Sequence, residues 1–260
     1  MKFSIITVVY NGEEFIKDCI ESVLSQDYKN IEYIVIDGGS TDKTPEIISS
    51  FGNSISIFIS EKDNGLYYAM NKGITMATGD IIGLLNADDL YYDKDVIKNV
   101  ADVFAKNDTS AVYGNAVFIK RDDTHKDKIV RYWKSKKMYP GYFEDGEIPH
   151  HLSLFIKKDV YKKFGTINTQ YNIAADYELM LRFFKVNKVT AFYYDRILTK
   201  IRLGGLSNGS IRNIMKGNFE ILKAWRNNGL PIPWVCLFIK RPLNKIKQYL
   251  FNPFKRQYSS

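Results

Sequence analysis

Residues 81–89, I-I-G-L-L-N-A-D-D, constrain this chain most: an apolar run stops at an amide, Asn86, and two adjacent carboxylates, Asp88 and Asp89. An unbroken apolar run of this length is the pattern of a central strand covered on both faces, as in a parallel sheet. Open α/β sheets bind ligands in the crevice beyond the carboxyl ends of their strands. Oxygen groups placed there suit a hard divalent cation bridging the phosphates of a nucleoside diphosphate. Taken alone, the Asp pair is more often a solvated turn, because Asp is a common turn and cap residue. It does not stand alone. A second strand, residues 31–36, also ends in an acid, Asp37, followed by G-G-S-T-D. Two consecutive units ending in acids beside small residues point to one shared crevice.

The first ninety residues alternate strand and helix. Residues 3–10 form a first strand, and Asn11 is a plausible N-cap with Glu14 three residues on. Phe15, Ile16, Cys19, Ile20, Val23 and Leu24 then recur at helical spacing. Thr44-Pro45 opens a helix with Pro at its first position. A third strand over 55–59, a turn at 63–65, a helix over 67–78 ended by Gly79 and a fourth strand over 81–85 complete a βαβαβαβ order. That order predicts an α/β fold with a mostly parallel, doubly wound sheet flanked by helices. Beyond Tyr91 the pattern loosens: a helix over 95–105, a strand over 111–119, a polar loop region over 121–146, a strand over 151–156, a helix from about 175 and a strand over 189–194.

Neither G-x-G-x-x-G after the first strand nor G-x-x-x-x-G-K-[ST] occurs, so phosphate charge falls to a metal and side chains. Cys19 and Cys236 have no zinc spacing and make no disulfide framework, which implies a reducing compartment; Cys19 sits on an apolar helical face and reads as core. The apolar start of the chain breaks off at N-G-E-E without a cleavage-site pattern, and the late run 234–239 is far short of the ~20 residues of a spanning helix. A cytoplasmic location is therefore expected.

Net charge is +8, and its location matters. Residues 210–260 carry ten Lys/Arg against one acid, Glu220, so residues 1–209 are close to neutral. The expected organisation is a domain over 1–209, with a nucleotide-binding half (1–90) and an acceptor-binding half (91–209), followed by a basic, amphipathic helical extension over 210–260. Trp225, Trp234, Phe238, Tyr249, Phe251 and Phe254 interleave with those cations. Such a mixture suits the interface of an anionic membrane, at ~1 kcal/mol per basic residue. A solvated tail or a nucleic-acid arm is the alternative; the apolar run beside Lys240-Arg241 favours the membrane over nucleic acid.

Five blocks in order, S-I-I-T-V-V-Y-N (4–11), I-V-I-D-G-G-S-T-D-K-T (34–44), I-S-E-K-D-N-G-L-Y-Y-A-M-N-K-G (59–73), residues 79–89 and residues 172–182 around Asp176, resemble glycosyltransferase family 2. These are inverting nucleotide-sugar glycosyltransferases with the GT-A fold, and the likeness spans about residues 3–208. It implies that Thr7 and Tyr10 border the nucleotide base and that Asp37 hydrogen-bonds it, usually as uracil. Asn86 and Asp88 fall on the family's D-x-D motif, the first facing ribose and the second holding Mg²⁺ or Mn²⁺. Asp176 falls on the catalytic base. Two positions depart from the family's habit: Gly38, often Asp, and Asn86, often Asp, which removes a negative charge and predicts weak metal binding without nucleotide.

Asp89, His151 and Lys72 are further candidates for the donor or acceptor pocket. Plainer readings stand beside these: Asp176 as a helix cap, His151 as a hydrogen-bonded strand histidine, Lys72 as a solvated helix lysine, and Gly204-Gly205-Leu206-Ser207 as an ordinary turn, where the resemblance implies a turn flanking the donor pocket. The resemblance implies a metal-dependent hexosyl- or N-acetylhexosaminyl-transferase using a UDP-sugar. A lipid-linked glycan acceptor on the cytoplasmic membrane face would explain the basic extension. The rivals are a sugar-1-phosphate nucleotidylyltransferase, whose Gly-rich, Arg-containing opening loop is missing, and a catalytically silent nucleotide-sugar-binding scaffold.

Overall fold

Four parallel strands, β1 (Phe3–Val9), β2 (Ile31–Asp37), β3 (Ile57–Ser60) and β4 (Ile81–Asn86), lie in the order β3-β2-β1-β4 in the computed structural model. It describes residues 1–121, 127–203, 211–235, 239–250 and 253–254. Helices α1 (Ile16–Leu24), α2 (Thr44–Ser49) and α3 (Leu66–Met76) are the crossovers. The chain leaves β1 towards β2 on one side while β4 lies on the other, so the sheet's switch point falls between β1 and β4. Val9 is level with Asp37 and Val8 with Asn86, which brings three carboxyl ends to one edge.

The second half is mixed. β5 (Leu90–Tyr91), α4 (Val96–Lys106), β6 (Ala111–Arg121) and β7 (Asp127–Trp133) precede a 3-10 turn, His151–Ser153, and β8 (Leu154–Lys157). Then come α5 (Lys158–Phe164), α6 (Ala175–Met180) with a π-helical continuation Leu181–Val186, β9 (Ala191–Arg202), α7 (Ile211–Asn227) and α8 (Arg241–Leu250). β8 pairs antiparallel with β4 and β6, while β9 runs parallel to β6. Gly83 makes the β4–β8 join possible: a Cβ there would stand 2.8 Å from the Phe155 ring.

Several sequence expectations change. The loop expected over 121–146 contains β7, whose Arg131 is buried over the Phe118 and Trp133 rings and so masked the strand pattern. The strand expected at 151–156 begins as a 3-10 turn, and β9 runs six residues past Arg196 through charged positions such as Lys200. Asn11 is not an N-cap; it takes a left-handed conformation (φ 49°) and its side chain accepts the Thr41 N–H at 2.8 Å.

Two apolar layers sandwich the sheet. Phe3, Ile5, Val35 and Leu85 pack under α1 and α4, whereas Ile6, Val8, Ile34 and Leu84 pack under α3, α6 and α7. α7 belongs to that core. Ile221, Ala224 and Trp225 are buried, and Trp225 Nε1 donates to Tyr177 Oη at 2.9 Å. The boundary expected at 209/210 thus falls just before a helix that the domain needs.

Candidate active site

The loops after β1 and β2 are knitted together beyond the strand ends. Asn11 N–H donates to Ser40 Oγ at 2.7 Å and Gly12 N–H to Thr44 Oγ1 at 2.9 Å. Asp37 is fully buried and accepts from Ser60 Oγ at 2.6 Å and from Ser40 N–H at 3.1 Å. In this structure its oxygens hold the loop. Thr7, expected to border the base, also lies inside. It has no exposed surface, faces the α1 layer, accepts from Tyr33 Oη at 3.1 Å and lies 3.7 Å from Cys19 Sγ. Cys19 in turn donates to the Asn86 carbonyl at 3.3 Å, and burial pushes its thiol pKa up to about 12. Tyr10, one residue past β1, is 65% exposed at the rim.

At the end of β4 the two carboxylates part company. Asp89 is buried, accepting from the Arg202 backbone N–H at 2.9 Å and Asn86 Nδ2 at 3.2 Å, and so ties β4 to the end of β9 rather than lining a pocket. Burial, then the charge of Asp88, raise its pKa well above the usual range. Asp88 is half-buried; burial raises its pKa against the pull of its own N–H and of Arg202. Asn86 Oδ1 is buried with no hydrogen-bond partner among the described residues. A buried orphan acceptor beside a desolvated carboxylate is an oxygen pair fit for a hard cation or a ribose hydroxyl. No group of three or more His, Cys, Asp or Glu forms a cage among the described residues, so a cation here would draw its other ligands from phosphate and water.

Asp176 lies in the first turn of α6, with its side chain 28% exposed. His151 Nδ1 sits 3.1 Å from Asp176 Oδ2, and Tyr67 Oη is 3.5 Å from Oδ1. Burial would raise the Asp176 pKa, but the charge and hydrogen bond of His151 and the Tyr177 N–H outweigh it and hold the carboxyl below its usual value. Asp176 does not cap the helix. Glu220, from α7, instead anchors the segment that leads into α6, accepting the N–H groups of Asn172, Ile173 and Ala174 at 3.0, 2.8 and 2.9 Å. His151 stacks on buried His150 with ring centroids 5.0 Å apart; burial first, then the charges of His151 and Arg131, hold His150 well below its usual pKa.

The register of β8 on β4, Ile81 opposite Lys157 and Gly83 opposite Phe155, continues to bring the His151 turn level with the end of β4. Asp176 and His151 share an apolar recess of about 10 Å³ with Leu84, Leu154 and Met180, room for about one water. Leu84, two residues before Asn86 in β4, lines that recess, so His151 and Asp176 lie next to the last residues of strand before Asn86 and Asp88. Lys72 is paired with Glu61, the residue after β3. Residues 204–207 lie outside the described residues.

Sequence reasoning missed three groups. The Arg202 guanidinium is nearly buried, donating to Asp18 Oδ2 at 2.8 Å and to the Asp88 carbonyl at 3.3 Å while lying 4.5 Å from the Phe15 ring. Tyr67 and Glu220 frame Asp176 from α3 and α7. Only long-range pairing brings these residues in, and no local pattern announces it.

The profile described as "Glycosyl transferase family 2" matches residues 4–164. An uncharacterised glycosyltransferase of Rickettsia typhi is 32% identical over 216 residues, covering 77% of this chain, which spans only 63% of that relative's length. A "PGL/p-HBAD biosynthesis glycosyltransferase" of Mycobacterium bovis is 29% identical, covering 79% of each chain. Among solved structures, S. aureus TarS 1-349 in complex with UDP-GlcNAc superposes with a TM-score of 0.69 at 15% identity, covering 94% of this chain and 69% of that one. The mannosyltransferase PcManGT of Pyrobaculum calidifontis, in complex with GDP-Man and Mn²⁺, gives 0.64 at 17% identity, covering 93% and 69%. The mixed sheet and its helices are those of the GT-A fold, and the chain belongs to glycosyl transferase family 2.

Proposed function

We propose that the protein transfers a hexose or N-acetylhexosamine from a UDP-sugar, with inversion, to a hydroxyl of a lipid-linked glycan in cell-surface polysaccharide biosynthesis. The observation that carries this reading is the meeting of two oxygen sets at one edge: Asn86 Oδ1 with Asp88, and Asp176 with His151 alongside. The donors named with the solved neighbours, UDP-GlcNAc in one and GDP-Man with Mn²⁺ in the other, support the donor class and a divalent cation. A relative named for PGL/p-HBAD biosynthesis supports a synthetic role.

Asp88 would hold Mg²⁺ or Mn²⁺ with Asn86 Oδ1 beside it, or with that oxygen on the ribose. Such a cation, when bound, supplies charge stabilisation for the departing diphosphate. The raised proton affinity of Asp88 fits this use, since burial disfavours its bare charge and a positive partner would relieve that. Exposed Tyr10 and the loop shaped by Asp37 would border the base. Asp176, held ionised at neutral pH, would take the proton of the attacking hydroxyl, with His151 fixing one oxygen so that the other faces the acceptor. One carboxylate opposite the leaving group is what a single inverting displacement requires. The basic residues of 210–260 support work at the inner face of the cell membrane, as a peripheral protein.

The test is a panel of UDP- and GDP-sugars incubated with the full chain without acceptor, in Mn²⁺ or in chelator. Slow, metal-dependent release of UDP from at least one UDP-sugar is expected. A chain that binds UDP yet turns over no donor, with or without lipid-linked acceptors, would be a scaffold.

A further inference from the structure

Helix α8 is folded inside out. Arg241, Asn244 and Gln248, spaced i, i+3, i+7, lean on the body of the protein. The Arg241 guanidinium lies 5.1 Å from the Tyr177 ring, Asn244 Nδ2 donates to the Asp145 carbonyl at 3.2 Å, and Gln248 Oε1 accepts from Arg131 Nε at 2.7 Å. Two residues after each, about 200° round the helix, stand Leu243, Ile246 and Leu250, which are 48%, 54% and 62% exposed. A surface helix ordinarily turns its apolar stripe to the core and its polar face to water. Here the order is reversed. Just upstream, Trp234, Val235 and Ile239 are likewise more than half exposed. Lys247 is exposed beside the stripe, Lys245 is exposed on the side towards Arg241, and α8 contains no acid.

We propose that α8, together with Trp234, Val235 and Ile239, is the surface by which the protein lies on an anionic lipid bilayer, the apolar stripe entering the headgroup boundary and the lysines meeting anionic headgroups. The proposal sharpens the membrane location inferred above and is independent of the donor chemistry. A bilayer accounts for both halves of the pattern, apolar stripe and acid-free lysine flanks, where a protein partner would have to supply an apolar groove with an acidic rim. Ten residues suit a helix lying in the interface plane, and no described helix is long and apolar enough to cross a membrane. Docking also has a consequence for transfer: because Arg241 packs on Tyr177, the residue after Asp176, it would bring the α6 end of the site to the bilayer that carries the acceptor.

The experiment sediments the full chain with vesicles of phosphatidylcholine alone or mixed with phosphatidylglycerol, for the wild type, for Leu243→Gln/Ile246→Gln/Leu250→Gln and for Lys245→Gln/Lys247→Gln. Leu243, Ile246 and Leu250 already face outward, so the melting curve of the triple variant should stay unchanged, and that of the lysine variant is read alongside. Wild type should partition onto the mixed vesicles, the apolar triple variant at least ~10-fold less, and the lysine variant should lose the phosphatidylglycerol and salt dependence. Partitioning of the triple variant equal to wild type would overturn the proposal. So would failure of wild type to sediment with vesicles, including the case in which light scattering finds a wild-type dimer that the triple substitution splits, which would assign the stripe to a second copy of this chain. UDP binding measured on the same samples keeps the readings apart: its absence in the wild type would sink the transferase reading and leave the docking result intact.

Discussion

Asp88 and Asp89 carry the same group one residue apart, yet their surroundings give them different work. Asp89 is consumed by the Arg202 and Asn86 N–H groups, whereas Asp88 is half-buried with Arg202 near enough to moderate its charge. We therefore predict that Mn²⁺ tightens UDP binding by at least ~10-fold in the wild type and not at all in Asp88→Ala, read by calorimetric titration with and without chelator. Equal enhancement in the variant would remove Asp88 from the cation site. The sequence displayed both acids but not their division of labour, because strand-end geometry turns neighbouring side chains to opposite surroundings. The side of the strand taken by Thr7 was equally illegible: it meets Cys19 and Tyr33, and one-sequence periodicity cannot tell two covered faces apart.

At the scale of elements, the short helix α6 owes its placement to α7. Glu220 gathers three N–H groups leading into α6, and Trp225 reaches Tyr177 one residue beyond Asp176. Hydrogen bonds of charged groups contribute about 1.5–3 kcal/mol each when buried, without being additive. Glu220→Ala is expected to lower the melting temperature and to cost ~10-fold or more in kcat while leaving UDP affinity near wild type. Glu220→Gln, which keeps one accepting oxygen, should recover part of both. A fall in stability with unchanged kcat would reduce Glu220 to a structural cap. Charge counting assigned α7 to a tail because Arg212, Lys216, Lys223 and Arg226 dominate its composition, yet all four are exposed and the buried side is Glu220, Ile221, Ala224 and Trp225. Removing residues 210–260 would therefore strip core as well as charge.

Over the whole molecule, legibility follows contact range. β1 to β4 and their crossovers were readable because each unit is local and parallel strands buried on both faces leave continuous apolar runs. The mixed half was harder to read, since β8 slots between β4 and β6 and β9 returns beside β6, pairings set by distant partners that let charged residues occupy strands. The proposed site lies where these halves meet, Asn86 and Asp88 from the first and His151 and Asp176 from the second. That union is the central claim, and Asp176→Asn tests it most directly, because Asn can still accept from His151 Nδ1 but cannot take a proton from the acceptor. With a UDP-sugar donor that the wild type turns over and its glycan acceptor, kcat for transfer should fall by at least ~10²-fold, with metal-dependent UDP affinity and melting temperature little changed. Near-normal transfer by Asp176→Asn would contradict the account.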